Sequence, residues 1–178
     1  MRYLQGAMLL STCALANASE PAPQPLDFYI GSDLQRVNLK INGADDDAGL
    51  INLSLRGGIF LFEGIALEIQ TGVTDSDDDL AGVPVELGAN QAVFVRLQTP
   101  RREGFLFDLG LGFAHTELEA TDPITGITET QKEDGFAWSA RVDYRVNSNW
   151  HVNFDYTDRT NSNEITLNSY GLGVSYLF

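Results

Sequence analysis

Cysteine is almost absent from this chain, long apolar runs are missing, and basic residues are few. The single cysteine, Cys13, lies near the start, so the remainder can form neither an internal disulfide nor a thiolate metal site. No stretch reaches the roughly 20 apolar residues that a spanning helix needs, so membrane insertion would require a closed barrel. Lys and Arg number 11 against 25 Asp and Glu, a net charge of −14. That balance argues against nucleic acid as a partner, because phosphate binding relies on cations. There are only two histidines, His115 and His151, which leaves few places for a Ser-His-acid arrangement.

The first residues carry an export pattern. Arg2 gives a positive start, an interrupted apolar stretch runs to Leu15, and Ala16-Asn17-Ala18 supplies an A-x-A cleavage site. The organisation expected is a signal peptide over 1–18, a short leader over 19–26 with three prolines, and one domain over 27–178. Leu10-Ser11-Thr12-Cys13 is a weak competing lipidation pattern.

The end of the chain is the most informative stretch. Tyr170, Leu172, Val174, Tyr176 and Phe178 fall on one side of a strand, with Gly171, Gly173 and Ser175 on the other. A strand that is large and apolar on one face and small and polar on the other fits a barrel wall in lipid. Seven further segments alternate in the same way, over 27–41, 50–61, 65–74, 87–99, 105–116, 135–146 and 150–158. Phe94 interrupts the alternation of its segment. Short turns at Phe62-Glu63-Gly64, Pro100 to Gly104 and Asn147-Ser148-Asn149 alternate with longer loops. Aromatics gather near strand ends, as in the two interfacial girdles of a membrane barrel. The fold expected is all-β: an eight-stranded antiparallel up-and-down transmembrane barrel.

On this strand count, loop asymmetry and terminal motif, the chain resembles the small OmpA/OmpX-like outer-membrane β-barrel family. The resemblance implies short periplasmic turns, longer external loops and both termini in the periplasm. It also implies that Tyr170, Leu172, Val174, Tyr176 and Phe178 are read by the barrel-assembly machinery. No peptidoglycan-binding domain is expected. Expected partners are outer-membrane lipid and lipopolysaccharide, and the expected state is a monomer.

The polar face carries Arg56, Glu68, Arg96, Asp108, Arg141, Asp143, Arg145 and Asp155. In so narrow a barrel these charges must pair, which predicts a salt-bridged plug; a narrow pathway for ions or small solutes is the alternative. The expected loops are acidic. Asp45 to Asp47 occupy the first, and Asp75, Asp77, Asp78 and Asp79 the second. Glu117, Glu119, Asp122, Glu129, Glu133 and Asp134 flank or fill the third. Asp75, Asp77, Asp79 and Glu86 match EF-hand positions one, three, five and twelve. Leu80 stands where the turn Gly belongs, and Pro84 intrudes. A solvated acidic loop is the leading reading, weak Ca²⁺ or Mg²⁺ binding the second, and no cofactor is expected. Some outer-membrane barrels of this size modify lipid A, and the deacylase family uses His-x-Ser. Here His151-Val152-Asn153 has Asn in the Ser position, so no enzyme is expected. A soluble ligand-binding barrel would need the apolar face turned inward.

Overall fold

In the computed structural model, residues 24–41, 47–74, 77–80, 83–100, 102–121, 125–161 and 165–178 are described. The proposed signal peptide and most of the leader lie outside them, as do Asp45, Asp46, Asp75 and Asp122. Nine strands are found among the described residues: β1 (Phe28–Ile41), β2 (Asp47–Phe62), β3 (Ile65–Thr74), β4 (Asp77–Leu80), β5 (Val83–Gln98), β6 (Phe105–Thr121), β7 (Thr128–Arg145), β8 (Trp150–Asn161) and β9 (Ile165–Leu177).

Every neighbour is antiparallel and the sheet closes on itself. β1 pairs with both β2 and β9, and β3 pairs with both β2 and β5. β4 takes up the line of β3 along β5: Gly72 faces Asn90 and Asp77 faces Glu86. The wall is therefore an eight-stranded up-and-down barrel with one strand line in two pieces. Closure removes the unpaired edges that hydrocarbon would not tolerate.

The turns follow from their residues. Arg102 and Phe105 exchange backbone hydrogen bonds at 2.8 Å around Glu103-Gly104. Both turn residues have positive φ (51° and 85°), the mark of a type I′ hairpin. At the third turn, Asn147 Oδ1 accepts from the amides of Asn149 and Trp150 at 3.0 and 2.9 Å, an Asx turn. Gly58 is required by close approach, because the Tyr29 ring lies where a Cβ would stand.

The alternation of each strand sets its two faces, and the faces exchange character along the barrel. Toward the turn end, outward positions are apolar and inward ones polar. In β6, Phe105, Phe107, Leu109, Leu111 and Phe113 are exposed, while Asp108 is buried. Toward the loop end the pattern inverts: outward positions become His115, Glu117 and Glu119, and inward Leu118 is buried. β1 repeats this, passing from outward Leu34 to Arg36 and Lys40, and from inward Asp33 and Gln35 to Val37 and Leu39. The inward apolar residues meet as one cluster: Val37, Leu39, Ala48, Leu50, Val85, Leu87, Leu118, Ile165 and Leu167. The lower part of the barrel is thus built for lipid and the upper part for water.

This inversion explains where sequence-based boundaries fell short. Segments expected at 50–61, 105–116 and 135–146 extend to β2, β6 and β7, because the loop-end sheet continues past the lipid-facing band. Much of the expected third loop is consequently a β6–β7 hairpin, paired out to Thr121 and Thr128.

An arginine on the lipid band meets hydrocarbon, whereas one on the loop-end sheet meets water. Leu109→Arg is therefore expected to destabilise the barrel by about 2–4 kcal/mol. Thr130→Arg is expected to change stability by no more than about 0.5 kcal/mol. Urea unfolding in lipid vesicles measures both.

Candidate functional site

The inward positions of the lipid-spanning part converge on one carboxylate. Glu68, on β3, is fully buried and is held by groups from four other strands. Arg96 on β5 donates from Nη2 and Nε to Glu68 Oε1 at 2.6 and 3.0 Å. Arg141 on β7 donates to both carboxylate oxygens, at 3.0 and 3.1 Å. Arg56 Nε on β2 lies 4.0 Å from Oε2. The Tyr29 hydroxyl on β1 donates to Oε2 at 2.7 Å, and Gln70 of β3 itself donates to Oε1 at 2.9 Å.

Each arginine also has a second acid. Arg96 Nη1 donates to Asp108 at 3.0 Å and to the Ser139 hydroxyl at 2.6 Å. Arg141 Nε donates to Asp155 at 3.2 Å, the residue facing it across β7 and β8. Arg56 pairs with Asp33 and donates to Asn153 Oδ1 at 2.6 Å. The network thus holds three cations among four carboxylates, with amides and hydroxyls taking up most remaining donors and lone pairs; Arg56 Nε and Gln70 Oε1 make no hydrogen bond among the described residues. Such satisfaction is the condition for burying charge at all.

Two residues expected in this network sit apart from it. Asp143 is buried, yet among the described residues no cation lies within ion-pair distance of it. It lines a cavity of about 30 Å³ at the turn end with Tyr29, Gln98, Arg141, His151 and Ser175. Arg145 is half-buried at the turn end, where its Nε donates to the Asn147 carbonyl at 2.9 Å. It is the last residue of β7, and its reach is toward the turn.

Other members were missed by the sequence reading. Asp33 shares the polar face of β1 with Tyr29, so parity could have nominated it. Arg159 lies one residue beyond the expected strand end and is fully buried; it donates to Asn90 at 2.9 Å and Gln35 at 3.3 Å. Phe94, which looked like an interruption, points inward beside Arg96, whose guanidinium lies 5.0 Å from the ring centroid.

Above the lipid-facing band, His115 and Lys132 sit on the outward face of the β6–β7 hairpin. His115 Nδ1 lies 2.6 Å from Asp134, Nε2 lies 3.7 Å from Glu117, and Lys132 reaches Glu117 at 2.7 Å. The hydrogen bond to Asp134 raises the His115 pKa, and that to Lys132 lowers the Glu117 pKa. His115 therefore belongs to a solvated charge cluster. Its ring nitrogens face carboxylates, the surroundings of a charged imidazole.

Of the expected cation ligands, Glu86 is exposed and faces Glu119 across β5 and β6. Asp75 lies outside the described residues, and only the backbone is described at Asp77 and Asp79. No group of three His, Cys, Asp or Glu side chains converges on a metal-sized site among the described residues.

The terminal-motif residues lie on the lipid face. Phe178 stacks on Phe28 at 4.4 Å, and Tyr176 packs against Trp150 at 5.1 Å, forming the turn-end aromatic ring.

Comparison with known proteins agrees with this geometry. The family of outer membrane protein beta-barrel domains matches residues 6–178. No curated protein matches the chain. Among solved structures, Ail, the attachment invasion locus protein of Yersinia pestis, superimposes with a TM-score of 0.68 at 13% identity, covering 87% of this chain and 100% of Ail. Neisserial surface protein A gives 0.69 at 13% identity, covering 89% of this chain and 100% of that one. OprG from Pseudomonas aeruginosa gives 0.64 at 15% identity, covering 88% and 98%. At these identities the likeness is one of fold.

Two outcomes are expected. Glu68→Gln leaves the buried guanidinium groups short of a counter-charge and is expected to cost about 3–5 kcal/mol in urea unfolding of the folded barrel. His115 is expected to titrate above the ordinary histidine range by NMR, and to return toward it in Asp134→Asn. Because the folded-state pKa is the raised one, any stability from this contact is present at low pH and lost as pH rises through that pKa.

Proposed function

Given that the chain belongs to the outer-membrane β-barrel family, we propose that it is a closed, non-conducting barrel whose work is done on its loop-end surface. The observation that carries this reading is the double stopper in the lumen. The Glu68 network fills the lipid-spanning part, and the apolar cluster around Leu39, Leu50 and Leu167 fills the part above it. An ion would have to break the first and cross the second without hydration.

In this reading the turns and both termini face the periplasm and the loop-end sheet faces outward. The outward ring of Arg36, His115 and Lys132 just above the lipid-facing band sits where the headgroups of lipopolysaccharide would be. The barrel-assembly machinery reads Tyr170, Leu172, Val174, Tyr176 and Phe178, whose side chains lie along one lipid-facing stripe. The barrel works as a monomer, without catalysis or a resident cofactor. Its acidic loops are solvated, with weak bridging of Ca²⁺ or Mg²⁺ to anionic lipid the second reading.

A narrow passive pore is the second reading. The turn-end cavity beside Asp143 and His151 favours it, because that end of the lumen is polar and has space. The two readings part in planar bilayers. The refolded protein is expected to give no steady conductance steps; large, regular steps would reject the closed barrel and adopt the pore.

A further inference from the structure

The charges buried inside the barrel do not balance. Among the described residues, five carboxylates are buried against four guanidinium groups: the acids of the Glu68 network with Asp143, and the three arginines of that network with Arg159. One carboxylate is in excess, and Asp143 is the one left over. It is 6% exposed and makes no hydrogen bond or ion pair among the described residues. The side-chain donors beside it are spent elsewhere. Arg141, two residues away on the same face, is held by Glu68 and Asp155. Asn153, which faces Asp143 across β7 and β8, accepts from Arg56 and donates to Asp33. The Tyr29 hydroxyl donates to Glu68. Arg145, one step nearer the turn, donates from Nε to the Asn147 carbonyl.

Asp143 lines the turn-end cavity of about 30 Å³. The same wall carries Gln98, whose amide nitrogen is spent on Asp108 at 2.9 Å so that its carbonyl oxygen remains. It also carries Ser175, whose buried hydroxyl bonds to no described group. We propose that this cavity is a binding site for one monovalent metal cation of sodium's size, held by the Asp143 carboxylate with Gln98 Oε1 and Ser175 Oγ as further oxygen ligands. A lone ionised carboxylate is costly to bury. One positive charge cancels the excess, and two would overshoot it. The space agrees with the charge. A buried water needs roughly 10–15 Å³, so the cavity has room for the ion and about one water. Calcium takes about 6–8 oxygen ligands and magnesium keeps several waters, more than this wall and this space supply. The site lies on the turn side of the Glu68 network, so it fills from that end whether or not the lumen beyond conducts.

The test is solution NMR of the folded barrel in phospholipid nanodiscs at constant chloride and ionic strength. Sodium replaces N-methylglucamine, a cation far too large for the cavity. Saturable shifts are expected at the amides of Leu106, Asp143 and Ser175, half complete below about 0.1 M sodium. Asp143→Asn, shown folded by heat-modifiable migration, is expected to weaken this response about tenfold or more, and Ser175→Ala about threefold. Should Asp143→Asn fail to fold, Ser175→Ala carries the comparison. Arg145→Gln removes the next guanidinium along that face and is expected to leave the response in place. Cavity amides indifferent to sodium would overturn the proposal, because a proton or water alone would then meet Asp143. A response that survives Asp143→Asn undiminished would overturn it too. So would one that appears only in Arg145→Gln, which would make Arg145 the counter-charge. Saturation by calcium at about a hundredfold lower concentration than by sodium would reject the monovalent ion.

Discussion

Glu68 is the group on which the lipid-spanning part of this barrel depends. A carboxylate in a dry lumen is costly, and so is a guanidinium; together they are tolerable only when nearly every donor and lone pair is used. Arg96 and Arg141 chelate Glu68, and Arg56 stands at the edge of the same cluster. The second acids Asp33, Asp108 and Asp155 then fix where each guanidinium points. The network draws on β1, β2, β3, β5, β6, β7 and β8, so it sets the register of the wall as well as filling it.

The second organising fact is the exchange of faces. Below the level of Leu34 and Phe113 the outside is apolar and the inside ionic; above it the arrangement is that of a water-soluble β-sheet with an apolar interior. One rule of alternation therefore serves two solvents, and the change of parity content marks the boundary between them. The β6–β7 hairpin extends furthest into the second regime, which is why its outward aromatics end at Phe113 and Phe136, whose rings meet edge to face, and give way to His115, Glu117 and Lys132.

The barrel was legible because period-two alternation and turn chemistry are local properties. Gly104 and Asn147 announce their turns, and the stripe ending at Phe178 announces its face. The pairing of Arg96 with Asp108 and of Arg141 with Asp155 was also legible, since each pair sits on neighbouring strands. The centrality of Glu68 was not, because three arginines meet it across the lumen, a relation that depends on shear and tilt. Arg159 and the outer halves of β6 and β7 were lost for another reason. Their alternation is polar outside and mixed inside, so the lipid-facing pattern used to find strands stops before the strands do. Phe94 was misjudged because an aromatic inside a polar lumen makes sense only once the Arg96 guanidinium is seen against its ring.

β1 and β9, the first and last strands, lie side by side, and Asp33 is tied to Asn153 from a position 120 residues away in the chain. No partial chain can make that junction. The cylinder closes only once β1 and β9 are both present. Such long-range closure makes folding intrinsically slow. Lacking β9, the wall would present two unmatched edges, on β1 and on β8, where the finished cylinder has none.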